Sequence, residues 1–515
     1  MIALRSRLLV VAAAILLGAA AMESAHAQWA DEGERAGLEG CTIGVASGRA
    51  TADGRPLLWK TRDAEAEHNE ARWQVAYPYS FVGVFNADGE SPWMAVNTKG
   101  FALLNANALD LPGTGNSGNG SFMRLAMAEC ATVAEFRRLL DSTNGSTRRT
   151  QAHFAVIDTT GAAALFETGG REYWMYDACD SSCAEGYVIR TNFAIHGGGA
   201  VGFCRYQRSR AIVGALRSSN QLSPRGIVRD QMRDFADAAG NPFPIPYPAR
   251  IYPGVPFGYI GTASSICGAT SVSAAVIQGV LNGEPAVLTT MWTLLGLPAA
   301  TVTLPFWPVG PTPSVADGTP TAPLCDEANR LHALLFRFFE DPVTRKIDEY
   351  VDSYKLRTGL GMGIWGQLLP AEETIFHQAE EELARWRTTR IAPPAAEMLT
   401  VEENLAGYAY TVLRSTRIAP DDRTGEDQTN VELAQNYPNP FNAGTVIRFT
   451  LPEHGHVRLR LFDVMGRSVR DLLDEERAAG THELHVDAAS LASGVYWYRL
   501  NAGGVTLART LVVVR

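Results

Sequence analysis

Between Ile418 and Asn430 the chain reads Ile-Ala-Pro-Asp-Asp-Arg-Thr-Gly-Glu-Asp-Gln-Thr-Asn, with few apolar side chains and no periodicity. Such a stretch cannot bury enough apolar surface to offset the entropy of ordering it, so no single core runs through it. The sequence therefore folds as two parts joined by a linker over 416–430. A length of 515 residues, against roughly 100–200 per domain, leads to an expectation of two or three domains. The composition, 46% hydrophobic and 19% charged, excludes a disordered or collagen-like chain. Forty-five Lys and Arg against 55 Asp and Glu give a net charge of −10. The basic footprint of a nucleic-acid-binding protein is missing, so no nucleic acid is expected.

The first 27 residues read as an address. Arg5 and Arg7 supply a basic start, Leu8 to Ala21 is continuously apolar, and Ser24-Ala-His-Ala27 ends in the pattern a signal peptidase cuts. The apolar run is about 14 residues, short of the roughly 20 that span a bilayer. No later stretch reaches that length unbroken, so no integral membrane segment is expected after signal removal. Seven cysteines are too few for a disulfide scaffold. Export permits a Cys179–Cys183 loop bridge, or a bridge from either to Cys204. The ten histidines lack the companion spacings of a metal site, so neither metal nor cofactor is expected. Gly197-x-Gly199-x-x-Gly202 has the form of a dinucleotide fingerprint but sits in a region without βαβ alternation, so it reads as a flexible loop.

From Gly40 to about Pro308, short apolar runs alternate with Gly, Asn, Asp and Pro clusters, the pattern of strands and turns. From Asp326 to about Arg390 the period becomes helical. Leu331, Leu334, Leu335, Phe338 and Phe339 form one stripe, and Ile347, Tyr350, Val351 and Tyr354 form another. Beyond the linker, residues 431–515 are all β. Val457, Leu459 and Leu461 alternate with Arg458 and Arg460, and glycines punctuate further strands at 481–486 and 495–500, as in a small sandwich. Leu433-Ala-Gln-Asn-Tyr-Pro-Asn-Pro-Phe-Asn442, Thr445-Val-Ile-Arg-Phe449, Phe462-Asp-Val-Met-Gly-Arg467 and Leu491-Ala-Ser-Gly-Val-Tyr-Trp-Tyr-Arg-Leu500 resemble the C-terminal sorting module of type IX secretion. The resemblance implies passage through the periplasm, recognition by the type IX machinery, and release or surface display.

Cys41 is the candidate nucleophile. It opens the apolar strand Thr42-Ile-Gly-Val-Ala46, and Pro56 to Lys60 forms a second strand after the turn signal Asp53-Gly54. A two-residue turn there sets Cys41 opposite Ala66, and a loop longer by a few residues slides the partner back to 62–64. Either register brings Cys41 close to Arg62 and Asp63, and a neighbouring cation favours thiolate.

Cys41-Thr-Ile-Gly-Val together with Thr51-Ala-Asp-Gly-Arg-Pro-Leu-Leu-Trp-Lys-Thr-Arg-Asp63 resembles the start of N-terminal-nucleophile (Ntn) amide hydrolases. These include choloylglycine hydrolases, penicillin acyltransferase-like proteins and secreted dipeptidases. The resemblance covers roughly residues 40–300. It implies an α+β fold, a four-layer α-β-β-α sandwich over 41–415, followed here by the small all-β sandwich. It also implies autocleavage between Gly40 and Cys41, with residues 28–40 as a propeptide. The freed α-amine then serves as the base. Asp63 matches the carboxylate that holds amine and thiol, and Lys60 stands where Arg is common, so Lys60 or Arg62 takes the cationic role. Val96-Asn-Thr-Lys-Gly-Phe-Ala-Leu-Leu-Asn-Ala-Asn107 resembles the segment whose last Asn binds the oxyanion, Asn107 in an ungapped reading and Asn105 as the alternative. Tyr187-Val-Ile-Arg-Thr-Asn192 resembles the strand whose terminal Asn lies by the substrate amide. Gly268, within Ser264–Ser273, stands where many relatives carry a further cation, which leaves recognition of a substrate carboxylate without a residue.

The expected activity is cleavage of a linear amide, in a small molecule or short peptide, through a thioester on Cys41. The acceptor is water or an amine. Two alternatives stand beside it: a conventional Cys–His peptidase using His153 or His196, and a non-catalytic surface binding protein retaining the fold.

Overall fold

The computed structural model describes residues 40–145, 148–236, 243–247, 254–256, 258–318, 321–340, 347–358, 363–418, 431–451, 454–463, 467–489, 491–503 and 505–514. The expected signal peptide, all of the expected propeptide except Gly40, and most of the expected linker lie outside the described residues. The chain divides into two compact units, with the boundary between Ile418 and Ala419.

The first unit runs β1 (Cys41–Ala46), β2 (Leu57–Asp63), β3 (Asn69–Gln74), β4 (Phe81–Asn86), β5 (Met94–Asn97), β6 (Ala102–Asn107), α1 (Asn119–Glu129), α2 (Val133–Thr143), β7 (Ala152–Ile157), β8 (Ala163–Thr168), β9 (Tyr173–Asp177) and β10 (Tyr187–Arg190). It continues with α3 (Phe203–Ser218), β11 (Tyr259–Gly261), β12 (Ser271–Gln278), β13 (Thr290–Leu295), β14 (Leu304–Phe306), α4 (Pro323–Leu335), β15 (Phe336–Glu340), β16 (Ile347–Asp352), α5 (Ile364–Thr389) and α6 (Ala395–Ser415).

Two antiparallel sheets carry it, one ordered β10-β1-β2-β12-β13-β14 and the other β3 to β9 in sequence order. They lie face to face, with β1 and β2 against β6, β7 and β8. Ile43, Val45 and Leu58 share one buried core with Leu104, Ala106, Ala155 and Leu165. The outer face of the second sheet is covered by α1 and α2, whose Phe122, Met123, Phe136 and Leu140 pack with Phe81, Phe85, Phe154 and Phe166. The outer face of the first is covered by helices too: Trp292 of β13 stacks on Phe376 of α5 at 4.6 Å, and Trp307 meets Trp386 edge-on. The layers are therefore α-β-β-α. Covered on both sides, β1 and β2 are buried at every residue, which is why β1 reads as a near-continuous apolar run. Gly44 has a second reason to be small: a Cβ there would lie 2.0 Å from the Trp59 ring.

The β1–β2 register sets Cys41 opposite Arg62, not Ala66. Asp53-Gly54 is a turn, with Gly54 left-handed at φ +78°, but it sits inside a longer loop that turns first at Ser47–Ala50. Two further expectations fail locally. Helix α4 ends at Leu335, and Phe338, Phe339 and the 347–352 segment are strands, pairing with each other and with β11. Apolar spacing over seven residues fits either state, and the available strand partner decides. Conversely, α1 and α2 arise in a region read as strands and turns.

Cys41, Cys130, Cys179, Cys183, Cys267 and Cys325 carry free thiols. The Cys179 thiol donates to Gly161 O and the Cys183 thiol to Tyr187 O, which replaces the expected loop bridge. Among the described residues no helix is long and apolar enough to cross a membrane.

The second unit contains β17 (Glu432–Leu433), β18 (Gly444–Leu451), β19 (Gly455–Asp463), β20 (Ser468–Arg477), β21 (Gly480–Asp487), β22 (Gly494–Ala502) and β23 (Val505–Val513). They form sheets β17-β18-β21 and β20-β19-β22-β23 around Ile447, Phe449, Val457, Leu459, Leu461, Tyr498 and Leu511. The Asn-Tyr-Pro-Asn-Pro motif is pinned from within: Tyr498 OH accepts from Asn436 N and donates to Ala434 O, and Asn439 Oδ1 accepts from Val512 N.

In the first unit a buried ion pair ties α5 to the segment between α3 and β11. Arg233 donates to both Glu372 oxygens at 2.7 and 2.8 Å, and Glu372 also accepts from Thr303 N and Oγ1. Removing one partner strands a buried charge, which costs about 3–5 kcal/mol. Arg233→Met should lose that much in urea denaturation, and Arg233→Met with Glu372→Met should recover most of it. An unchanged midpoint in the single variant contradicts the assignment.

Candidate active site

Strand β1 begins at Cys41, whose side chain is 7% exposed. The antiparallel pairing of β1 with β10 runs from Ala46↔Tyr187 to Ile43↔Arg190. Two residues further along, the Cys41 N–H donates to Asn192 Oδ1 at 2.9 Å. The Asn192 Nδ2 donates in turn to the Asn107 carbonyl at 3.0 Å. The strand ends of both sheets thus meet at Cys41.

Asp63 closes β2 on the other side. Its N–H donates to the Gly40 carbonyl at 2.7 Å, so the Gly40–Cys41 peptide is held at both ends. The Ser271 hydroxyl donates to Asp63 Oδ1 at 2.6 Å. The other carboxylate oxygen closes over Gly40, where a Cβ would stand 2.6 Å from it. Burial pushes the Asp63 carboxyl up from 3.8 to about 6, against the opposing pull of Arg205, Ser271, Arg62 and Lys60.

The two cations of β2 lie apart from this carboxylate. Lys60 Nζ donates to Asn105 Oδ1 at 2.8 Å and to Trp93 O at 3.3 Å. Arg62, opposite Cys41 in register, sends its guanidinium to Asn69 Oδ1 at 2.8 Å and over the Trp93 ring at 4.9 Å. Asn107 meets the centre through its main chain, while its Oδ1 accepts from Asn119 of α1 at 2.9 Å. The structure thus gathers Gly40, Cys41, Asp63 and Asn192 tightly, with Asn107 next to them. Lys60, Arg62 and Asn105 form an adjoining group around Trp93.

A residue that sequence reasoning missed sits at the centre. Arg205, in the first turn of α3, donates through Nη1 to Cys41 O at 2.7 Å and to Thr42 Oγ1 at 3.3 Å. Its Nη2 donates to Asn192 Oδ1 at 2.9 Å. The signal was present: Arg205, Ser209, Ile212, Val213 and Leu216 recur at helical spacing on the buried face of α3. An arginine on a buried stripe requires acceptors. Ser271 carried no comparable mark.

The two histidines of the Cys–His alternative are occupied elsewhere. His153 is fully buried, its Nε2 at 2.9 Å from Phe193 O, and burial beside Arg190 lowers it to about 4. His196 lies flat on Trp174 with Nδ1 3.0 Å from Glu167 and from Tyr176 OH. Their hydrogen bonds run to these groups and not to a thiol. Burial pushes the Cys130 thiol up to about 12 and that of Cys325 to about 11, so both stay protonated at neutral pH.

Asp63 makes the sign of one pH effect calculable. The folded chain holds its proton up to about pH 6, whereas in the unfolded chain it leaves near 4. The native state gains from this group below pH 4 and loses that gain as pH rises through 6. Asp63→Asn should therefore become more stable relative to wild type from pH 4 to pH 7, by on the order of 2–3 kcal/mol. Urea titrations at the two pH values measure this, and a difference that stays constant with pH contradicts the burial argument.

Residues 435–514 match the family model described as the secretion system C-terminal sorting domain. No curated protein matches the chain in sequence. Among solved structures the chain is similar to an N-acylethanolamine-hydrolyzing acid amidase ortholog from Caenorhabditis elegans, at 11% identity and TM-score 0.31, covering 46% of this chain and 92% of that one. It is also similar to a mutant conjugated bile acid hydrolase from Clostridium perfringens, at 11% identity and TM-score 0.29, covering 49% and 89%. A third is penicillin V acylase from Agrobacterium tumefaciens, at 12% identity and TM-score 0.30, covering 52% and 85%.

Proposed function

We propose that this chain is an exported cysteine amidohydrolase of the Ntn type, which frees Cys41 by cutting its own Gly40–Cys41 bond and then attacks a linear amide through that sulfur. The observation that carries the reading is the Cys41 nitrogen. It lies at the start of β1, held by Asn192 Oδ1, with Asp63 and Arg205 around it. Freed from Gly40, that nitrogen is an α-amine with a pKa of about 7.7–8. It is then the base that a histidine supplies in other cysteine enzymes.

In self-cleavage, Cys41 Sγ attacks the Gly40 carbonyl carbon and the thiol proton passes to the departing Cys41 nitrogen. The C–N bond breaks as the thioester forms. Water then cleaves the thioester, leaving a Gly40 carboxylate, a free thiol and a free amine. The Asp63 N–H at 2.7 Å from the Gly40 oxygen is already aimed where the oxyanion develops. In turnover the same sulfur attacks a substrate amide, the α-amine takes the thiol proton and delivers it to the leaving amine, and water resolves the thioester. Water is the favoured acceptor over an amine because an exported enzyme meets it at overwhelming concentration. The tetrahedral oxygen is assigned to Asn192 and Asn107, the Asn192 Nδ2 leaving Asn107 O at 3.0 Å to reach it.

Intact-mass analysis tests the processing step. The mature chain should begin at Cys41, and Cys41→Ala should block both processing and amide hydrolysis. Gly40→Ala should slow processing at least tenfold, because its Cβ would fall 2.6 Å from Asp63 Oδ2. The same enzyme expressed to begin directly at Cys41 should be active. A fully active protein beginning at Gln28 sinks the mechanism.

The match at 435–514 supports export by type IX secretion, to the surface or the medium. The second unit has a core of its own, so each unit is expected to fold by itself. Truncation within the linker should leave hydrolysis intact and trap the protein in the periplasm. Truncated protein found in the medium contradicts the sorting role.

A further inference from the structure

We propose that Arg205 is a positioning residue of the Cys41 centre, fixing the nucleophile's strand end and the orientation of Asn192 with one guanidinium. The inference rests on the reading of Cys41 as nucleophile.

The geometry is that of a fork. One arm takes Cys41 O and Thr42 Oγ1, and the other takes Asn192 Oδ1. Asn192 Oδ1 thereby accepts from two donors, Arg205 and the Cys41 nitrogen. A flipped carboxamide would point its NH2 at both, so the oxygen is locked toward Cys41 and the Nδ2 toward Asn107 O. After cleavage the same lock would hold one amine hydrogen on Asn192, which limits where the amine lone pair can point. The guanidinium also lies against Gly40, with Nη2 3.1 Å from the place of a Cβ, beside the Asp63 carboxylate.

Arg205 is 7% exposed, so its charge acts in a poorly screened setting. The segment 264–273, where Gly268 brings no cation, contributes the Ser271 hydroxyl to Asp63. The cation at this strand end comes from helix α3. Lysine could not replace it fully, because a single ammonium lacks the planar fork that reaches two acceptors along β1 and one on the 191–192 turn.

The test uses the full-length chain with Arg205→Ala and Arg205→Lys. The rate of Cys41 alkylation by iodoacetamide is followed by peptide mapping from pH 4 to 9, beside hydrolysis of an amide panel. The Ala variant should lose at least tenfold in Cys41 alkylation. Its acid limb should move up by about one pH unit, since removing a cation beside Asp63 makes that carboxyl harder to ionise. Added guanidinium should restore part of the Ala rate and leave wild type unchanged. The Lys variant should keep the acid limb near its wild-type position but alkylate several-fold more slowly. A residue that served folding alone would lower the melting temperature without moving the limb and without guanidinium rescue, and that result overturns the proposal. If the Ala variant does not fold, the Lys variant decides: a wild-type alkylation rate overturns it. Alkylation needs no turnover, so a wild type silent on every amide defeats the hydrolase reading, while the alkylation series still judges Arg205.

Discussion

The antiparallel pairing of β1 with β2 and β10 decides where Cys41 stands, and most of the unit exists to make that pairing possible. A strand flanked on both edges and covered on both faces has no freedom to slide, because a one-residue slip would turn Ile43 and Val45 outward. What varies is only how the strand begins. At Cys41 the ladder hydrogen bonds give way to side chains and a neighbouring main-chain amide: Asn192 on one edge, Asp63 N–H on the other, and a guanidinium beneath. A rigid scaffold thus presents one strand end, and side-chain hydrogen bonds gather where regular pairing stops.

Around that strand end the protein buries three cations and one carboxylate, which would be costly without acceptors. The acceptors are mostly neutral. Lys60 uses Asn105 and a carbonyl, Arg62 uses Asn69 and the face of Trp93, and Arg205 uses two oxygens of β1 and Asn192. Asp63 is close enough to feel all three, yet its burial outweighs their pull and lifts it toward the middle of the pH range. A carboxyl poised there changes its charge with modest changes in its surroundings.

Much of this was legible in the sequence. Cys41 opening an apolar strand is a local fact, Asp63 and Asn192 near the ends of two others came from the resemblance, and sheet pairing turns them into neighbours. The register to Arg62 lay within the range the loop allowed. Lys60 and Arg62 were legible as nearby cations but not as partners of Trp93, because their acceptors come from β3, the residue before β5, and β6. Helix α2 was announced by Thr132 and Glu135, whose side chains cap its start, but the surrounding Gly and Asn clusters hid it. The stripe at 331–339 failed for a different reason: Phe338 and Phe339 continue a helical spacing that Leu335 ends, and only the pairing with β16 shows it. Arg205 required knowing which face of α3 is covered.

The turn after β10 shows how the site is tied to the rest of the fold. Asn192 does not stand alone; the residues that follow it are held by two carboxylates from the other sheet's side. Glu167, fully buried on β8, accepts from Arg190, from the main-chain N–H of Ile195 and His196, and from the His196 ring. Those donors hold it down to about 2 in spite of its burial, so it is a carboxylate at neutral pH. Asp110 accepts from Ala194 N and Gly199 N, and its side chain fills the space where Cβ atoms on Gly197 and Gly199 would lie. The glycine-rich stretch that mimics a nucleotide loop is therefore a clasp, small so that Asp110 can enter. Two carboxylates fix the backbone on one side of Asn192, and Arg205 fixes its side chain on the other. The carboxamide facing Cys41 is thus set by groups from β8, from the loop after β6 and from α3, elements far apart in sequence that only the stacked sheets bring together.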